Sequence, residues 1–143
     1  MGKKIYVATS WRNAEQPEIV AALRDHGHEV YDFRHPMPEN DGFSWAHVDA
    51  GWAQWSIAEY LEGIKYPIAR LGFGLDKQAL DWCDTCVLVL PCGRSAHLEA
   101  GYAAGQGKRV IILLRQDGFE PELMYLLGAG FALTLDSLLE QVS

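Results

Sequence analysis

Positive charge is in deficit: 12 lysines and arginines face 19 acidic residues, for a net charge of -7. An acidic surface repels phosphate backbones, so duplex nucleic acid is excluded as a partner class, while a small nucleotide in a locally polar pocket is not. Cysteine is scarce and odd in number, with Cys83, Cys86 and Cys92 only. That count excludes a disulfide framework. Cys83-x2-Cys86 has no second pair at metal-ligand spacing, and His26, His28, His35 and His47 form no such spacing either, so no metal is expected and packing is the default. No glycine fingerprint follows the first strand-like run, and no resident cofactor is expected. No apolar run approaches transmembrane length. The start, Met1-Gly2-Lys3-Lys4, lacks a signal-peptide stretch, and Tyr6 stands where myristoylation needs Ser or Thr. The expected compartment is the cytoplasm, without membrane contact. Repeats and low-complexity segments are absent.

What remains is apolar mass for one core: 143 residues, 49% hydrophobic, read as a single domain over 1–143. Lys4–Thr9 (KIYVAT) reads as a buried strand, and residues 15–26 as a helix closed by Gly27. His28–Phe33 is a second strand, followed by a Pro- and Gly-punctuated loop over 34–42. Trp45, Val48, Trp52 and Trp55 recur at three or four, which predicts a helix over 44–62 with one aromatic stripe. Residues 63–74 read as a breaker-rich connection and 75–82 as a short helix. Thr85–Leu90 is the most apolar strand. Then come a helix over 95–105 capped by Ser95, a strand over 109–114, a helix over 121–127 begun by Pro121, a strand over 131–133 and a helix over 135–142. Strands alternating with helices, the middle ones continuously apolar, indicate a flavodoxin-like α/β fold. It is doubly wound, with a parallel sheet of about five strands and helices on both faces. Ligands of such folds bind at the carboxyl ends of the strands.

Four segments follow strand ends: Ser10–Asn13, Arg34–Pro36, Pro91–Ser95 and Arg115–Asp117. The third is the sharpest. A glycine turn before a helix aims backbone N–H groups at one point, and Arg94 and Ser95 add donors. Ser95 and Glu99 are four apart and share a helix face, so Glu99 lies about one turn in. A carboxylate there suits a nucleophile or base toward a bound sugar; a helix cap plus a solvated glutamate is the plainer reading. Cys92 lies in the same turn, where a helix N-terminus favours a thiolate, so a catalytic thiol is a second reading. His97 reads as a surface or interface residue, Asp84 as a cap at a strand start, and Asp32 as an acid ending the second strand.

Two stretches together resemble the nucleoside 2-deoxyribosyltransferase superfamily. One is Lys4-Ile5-Tyr6-Val7-Ala8-Thr9-Ser10-Trp11. The other is Asp76-x7-Asp84, the apolar strand, Ser95-x3-Glu99-Ala100-Gly101-Tyr102-Ala103 and Gly107-Lys108-Arg109-Val110. The likeness spans residues 4 to about 125, and its most specific piece is the Glu-x-Gly-Tyr-Ala helix. The resemblance implies cleavage or exchange of an N-glycosidic bond in a nucleoside or nucleotide. It makes Glu99 the nucleophile toward the anomeric carbon and Asp76 the group handling the proton of the base. Trp11 then packs against the base, and Tyr6 lies beneath the glutamate. It also implies a homodimer or higher homo-oligomer.

Departures from the family pattern narrow the expectation. The transferases carry an aspartate six positions before the glutamate, where this chain has Gly93. They carry Asp-Asn after the later Leu-Met, donated across a subunit contact. Here Leu123-Met124 is followed by Tyr125-Leu126-Leu127-Gly128. Arg12 stands where relatives often have a second aromatic. The extra donors Arg12, Arg94 and Ser95 suit a phosphorylated or otherwise anionic ligand, which favours the nucleotide N-hydrolase branch, and Ser10 and Gly93 complete the candidate ligand-binding set. A nucleotide sensor without turnover, an NAD-cleaving glycohydrolase and a structural oligomer module are the alternative readings.

Overall fold

The computed structural model describes residues 2–143. In chain order the elements are β1 Lys4–Ala8, α1 Gln16–Asp25, β2 Glu29–Tyr31, 3-10 turns at Trp45–His47 and Trp52–Gln54, α2 Ile57–Gly63, α3 Pro67–Trp82, β3 Thr85–Val89, α4 Arg94–Gly105, β4 Arg109–Leu113, a 3-10 turn at Leu123–Leu127, β5 Gly130–Ala132 and α5 Leu135–Val142. The strands form one wholly parallel sheet in the order β2-β1-β3-β4-β5, which is the flavodoxin-like arrangement expected from the sequence.

Contacts group the chain into two compact units. One is the sheet unit, which holds the chain up to Asp32 together with Ala79–Ser143; the other is Phe33–Gln78.

In the sheet unit the two-residue period of a strand sorts side chains to opposite faces. Ile5 and Val7 join Val87, Val89, Ile111 and Leu113 on the face covered by α1 and α5. Tyr6 and Ala8 join Cys86, Leu88, Val110 and Ile112 on the other, against Ala96, Ala100 and Ala103 of α4 and the end of α3 at Ala79–Leu80. Helices therefore lie on both faces. Cys83 and Cys86 are buried packing residues, and no metal-binding cluster exists among the described residues. Asp84 holds the start of β1, accepting from the Lys4 N–H at 3.1 Å, and also accepts from the Thr85 hydroxyl at 2.8 Å.

Several local expectations need correction. Ser95 does not cap α4; Gly93 occupies that position and Ser95 lies in the first turn. The segment after Pro121 is a five-residue 3-10 turn over Leu123–Leu127 whose Met124 amide is capped by the Glu122 side chain, not a full helix.

The Phe33–Gln78 unit departs most. The expected helix over 44–62 is two 3-10 turns and the seven-residue α2. Ser44 and Ser56 each close a capping box, and Asp49 accepts from the Gly51 N–H, so the backbone restarts twice. The tryptophans pack as a cluster instead of a stripe. Trp45 meets Trp55 edge-on at 5.6 Å and Phe43 at 4.9 Å, and the Trp55 indole donates to Asp49 at 2.8 Å. Residues 67–74 are helical, as the start of α3. Gly72 is a close-approach glycine there: an added Cβ would sit 3.0 Å from Phe43.

Candidate active site

Three polar loops leave the carboxyl edge of β1, β3 and β4. Hydrogen bonds knit the first two together. The Thr9 hydroxyl donates to the Val89 carbonyl at 2.8 Å, and the Asn13 amide donates to the Pro91 carbonyl at 3.3 Å. Asn13 is buried, and its carbonyl oxygen accepts from the Glu15 N–H at 2.9 Å, so one side chain closes its own loop and anchors it to the next. Ser10 turns the same loop by accepting from the Arg12 N–H at 3.1 Å. Trp11 and Arg12, at the tip, are exposed. The third loop is pinned by Arg115, whose guanidinium grips Glu15 through two hydrogen bonds of 3.0 and 2.9 Å. Paired in this way, Arg115 serves the scaffold.

Gly93 starts α4 beside this edge, and an added Cβ there would meet nothing within 4 Å. Arg94 and Ser95 follow, both exposed on the first turn. One turn further in, Glu99 is partly buried and accepts a hydrogen bond from the Tyr6 hydroxyl. Tyr6 is fully buried, and its ring stacks on Tyr31 with centroids 5.3 Å apart and planes 20° from parallel. Two adjacent strands thus hold a phenol under the carboxylate. A donor bonded to an anionic acceptor is among the stronger neutral–ion hydrogen bonds and fixes the orientation of the carboxylate.

Cys92 lies close enough to Glu99 to feel its charge. Burial first, and that carboxylate second, push its thiol up to about 11. A thiol that stays protonated at neutral pH is a poor nucleophile, which counts against the catalytic-thiol reading. His97 has a bracing role. Its Nδ1 lies 2.7 Å from the Gly93 carbonyl, which can only accept, so that nitrogen carries the proton. Its Nε2 is 2.8 Å from the Tyr125 hydroxyl, tying the first turn of α4 to the Leu123–Leu127 turn.

The sheet unit therefore gathers Tyr6 and Glu99 in direct contact. Ser10, Trp11, Arg12, Gly93, Arg94 and Ser95 occupy the loops and helix start at the same edge. Asp76 belongs to the Phe33–Gln78 unit, on α3, and is partly buried. Asp32 is buried and accepts from Gln16 at 2.7 Å, a pairing of α1 with the end of β2. Sequence reasoning missed Tyr31, Gln16 and Glu15 and placed Asn13 only within its loop; all four act through partners distant in the chain. Two cavities of the sheet unit lie elsewhere. One, of about 170 Å³, sits between α4 and the Leu123–Leu127 turn, and the other, of about 530 Å³, lies at the amino edge near Asp84 and Arg109.

A parallel α/β sheet with a phenol-anchored glutamate at its carboxyl edge defines the class: a flavodoxin-like domain with a carboxylate site beside a helix start. No family model matches the sequence, and no curated protein matches it. Solved structures do. The chain is structurally similar to a 2-deoxyribosyltransferase of Bacillus psychrosaccharolyticus, at 22% identity and a TM-score of 0.60, covering 94% of this chain and 88% of that one. It is also similar to the CMP N-glycosidase BcmB of Clostridium botulinum, at 17% identity and a TM-score of 0.55 over 98% of each chain. A conserved protein of Enterococcus faecalis V583 matches with a TM-score of 0.62 at 14% identity, covering 99% of this chain and 98% of that one. The likeness is one of fold: a flavodoxin-like α/β domain shared with these three proteins.

Proposed function

We propose that this protein hydrolyses the N-glycosidic bond of a nucleoside or nucleotide, with Glu99 as the nucleophile. The observation carrying the reading is the hydrogen bond from buried Tyr6 to Glu99 at the carboxyl edge of the sheet. The Glu99 carboxylate, oriented by the phenol, attacks the anomeric carbon, the C–N bond breaks, and its electron pair leaves with the base. In this reading Asp76 delivers the proton that makes the base a better leaving group. A glycosyl ester on Glu99 results, and water then cleaves it to release the sugar and restore the carboxylate. Splitting one displacement into two lowered barriers is the usual gain of covalent catalysis, and the logic matches that of retaining glycosidases.

Arg12, Arg94, Ser95 and the free amides after Gly93 suit an anion on the sugar, so a nucleotide is favoured over a nucleoside. Gly93 in place of an acid favours water over a second base as acceptor. The fold of the two named relatives, one a deoxyribosyltransferase and one a CMP N-glycosidase, supports the substrate class. We further place the working form in the cytoplasm as a homo-oligomer; no helix among the described residues is long and apolar enough to cross a membrane.

Chromatography of reactions with nucleosides, their 5′-monophosphates and NAD tests the proposal. Free base from a monophosphate, abolished by Glu99→Gln, is the expected result. Nicotinamide release from NAD alone would select the NAD-cleaving alternative. Tight calorimetric binding with no product would select the sensor.

A further inference from the structure

Alternate carbonyls between the end of β3 and the start of α4 are each held by a side chain. The Thr9 hydroxyl donates to Val89 at 2.8 Å and the Asn13 amide to Pro91 at 3.3 Å, both from the loop after β1. The next, on Gly93, is held by His97 instead, whose Nδ1 donates to it at 2.7 Å. The His97 backbone N–H also reaches that carbonyl, but at 3.4 Å, beyond the usual range for such a bond, so the imidazole is the firmer hold. Cys92 Sγ, 3.7 Å from the same ring nitrogen, is a weak acceptor and no rival to a carbonyl. The far side of the ring is anchored too. Nε2 meets the Tyr125 hydroxyl at 2.8 Å, and Tyr125 packs against the core cluster that holds Leu88, Val110 and Ile112.

Gly93 needs such a hold. It has no side chain to cap α4, and an added Cβ would meet nothing within 4 Å, so neither a cap nor crowding fixes the peptide that follows it. A peptide unit is planar and trans, with its C=O and the next N–H pointing in opposite directions. The Gly93 carbonyl is turned inward to His97, so the Arg94 N–H is turned outward from the start of α4. First-turn amides have no partner inside their own helix. A substrate anion at this turn therefore meets the Arg94 N–H only while the Gly93 peptide keeps this orientation.

We propose that His97, braced by Tyr125, is a positioning residue that orients the Gly93 peptide and so sets the preference for a phosphorylated substrate over the bare nucleoside. Both ring nitrogens are engaged, one on a carbonyl and one on a hydroxyl, so His97 exchanges no proton with the substrate. Residues two apart on a helix do not face each other, which puts His97 and Glu99 on different sides of α4. Loss of the imidazole therefore acts on the grip of the anion, not on the attacking carboxylate. This role rests on the anionic-substrate reading given above and adds no site to it.

Two readouts on the full chain test it: base release from a nucleoside 5′-monophosphate and from the matching nucleoside, and calorimetric binding of ribose 5-phosphate. His97→Leu, which keeps bulk but loses the donor, should raise KM for the monophosphate about tenfold and weaken ribose 5-phosphate by a similar factor, with kcat held within about twofold. KM for the nucleoside should not follow. His97→Asn carries an N–H the same number of bonds from the backbone as Nδ1 and should restore the monophosphate KM to within about threefold of wild type. Tyr125→Phe, which frees the far side of the ring, should fall between the two. Leu98→Ala, at an exposed neighbour on α4, should change nothing. An equal loss on nucleoside and monophosphate, or His97→Asn as impaired as His97→Leu, would reduce His97 to a merely structural part and overturn the proposal. Unchanged kinetics and binding in His97→Leu would overturn it as well. If ribose 5-phosphate binds and His97→Leu weakens it, yet no substrate releases base, the glycosidase reading falls and the positioning role stands. If wild type binds no ribose 5-phosphate and shows no preference for the monophosphate, both fall.

Discussion

Replacing Tyr6 by phenylalanine removes one oxygen and leaves the ring stacked on Tyr31. The hydroxyl's partner is the Glu99 carboxylate, so the change deletes a hydrogen bond to a charged group, worth about 1.5–3 kcal/mol when sheltered. Glu99 is only partly buried, so water recovers some of the loss, and about 1.5 kcal/mol is the expected coupling. A double-mutant cycle isolates it: wild type, Tyr6→Phe, Glu99→Ala and the pair, each unfolded in urea at pH 7. Tyr6→Phe alone should lower the thermal midpoint by roughly 4–6 °C for a chain of this length. With Glu99 already gone, the same change should cost less, since the hydrogen bond to that carboxylate has already been removed. On activity, a loss of about tenfold or more in turnover is expected if the phenol orients the attacking carboxylate. A coupling energy under about 0.5 kcal/mol would refute the reasoning, because contacts of that size are no larger than ordinary non-additivity.

Two further outcomes concern titration. Cys92 should resist iodoacetamide at pH 7.5, with a rate that climbs toward pH 11, where burial and Glu99 have placed its thiol; fast labelling at neutral pH would contradict the packing described. Because that value is raised above the unfolded one near 9, the unfolded chain releases this proton first, and the corresponding stability is present below pH 9 and lost between 9 and 11. His28 behaves oppositely. Burial first, and His26 second, hold its imidazole below 6.5; Nδ1 accepts from the Lys3 N–H at 3.0 Å and Nε2 is buried without a partner. The unfolded chain therefore takes up this proton first on acidification, and stability falls as pH drops below 6.5. His28→Gln should flatten that limb in a urea series, and an unchanged limb would show that another group governs it.

The strands were legible because each middle strand is a continuous apolar run, which only a sheet covered on both faces accommodates. The Leu135–Val142 helix was equally plain, being amphipathic and capped by Thr134. The Trp45–Trp55 spacing misled. Positions three and four apart satisfy a helical stripe, yet Ser44, Asp49 and Ser56 each satisfy backbone amides locally and break the run. Gly72 and Gly74 looked like breakers, but glycine within a helix also marks a neighbour's close approach, here Phe43 on Gly72. Glu99 and Tyr6 stood out through the family-like motifs. Their supports did not. Tyr31 stacks from β2, Asn13 reaches Pro91 across 78 residues, and Glu15 meets Arg115 across 100. No local periodicity encodes such partners.

Stereochemistry reaches the core of the account. With methanol added to a reaction that releases base from a β-nucleotide, proton NMR identifies the anomer of the methyl glycoside formed. Two displacements through Glu99 predict the β-anomer, and none of it from Glu99→Ala. An α-anomer, or no base released from any nucleoside, nucleotide or NAD, would contradict a covalent glutamate at this site.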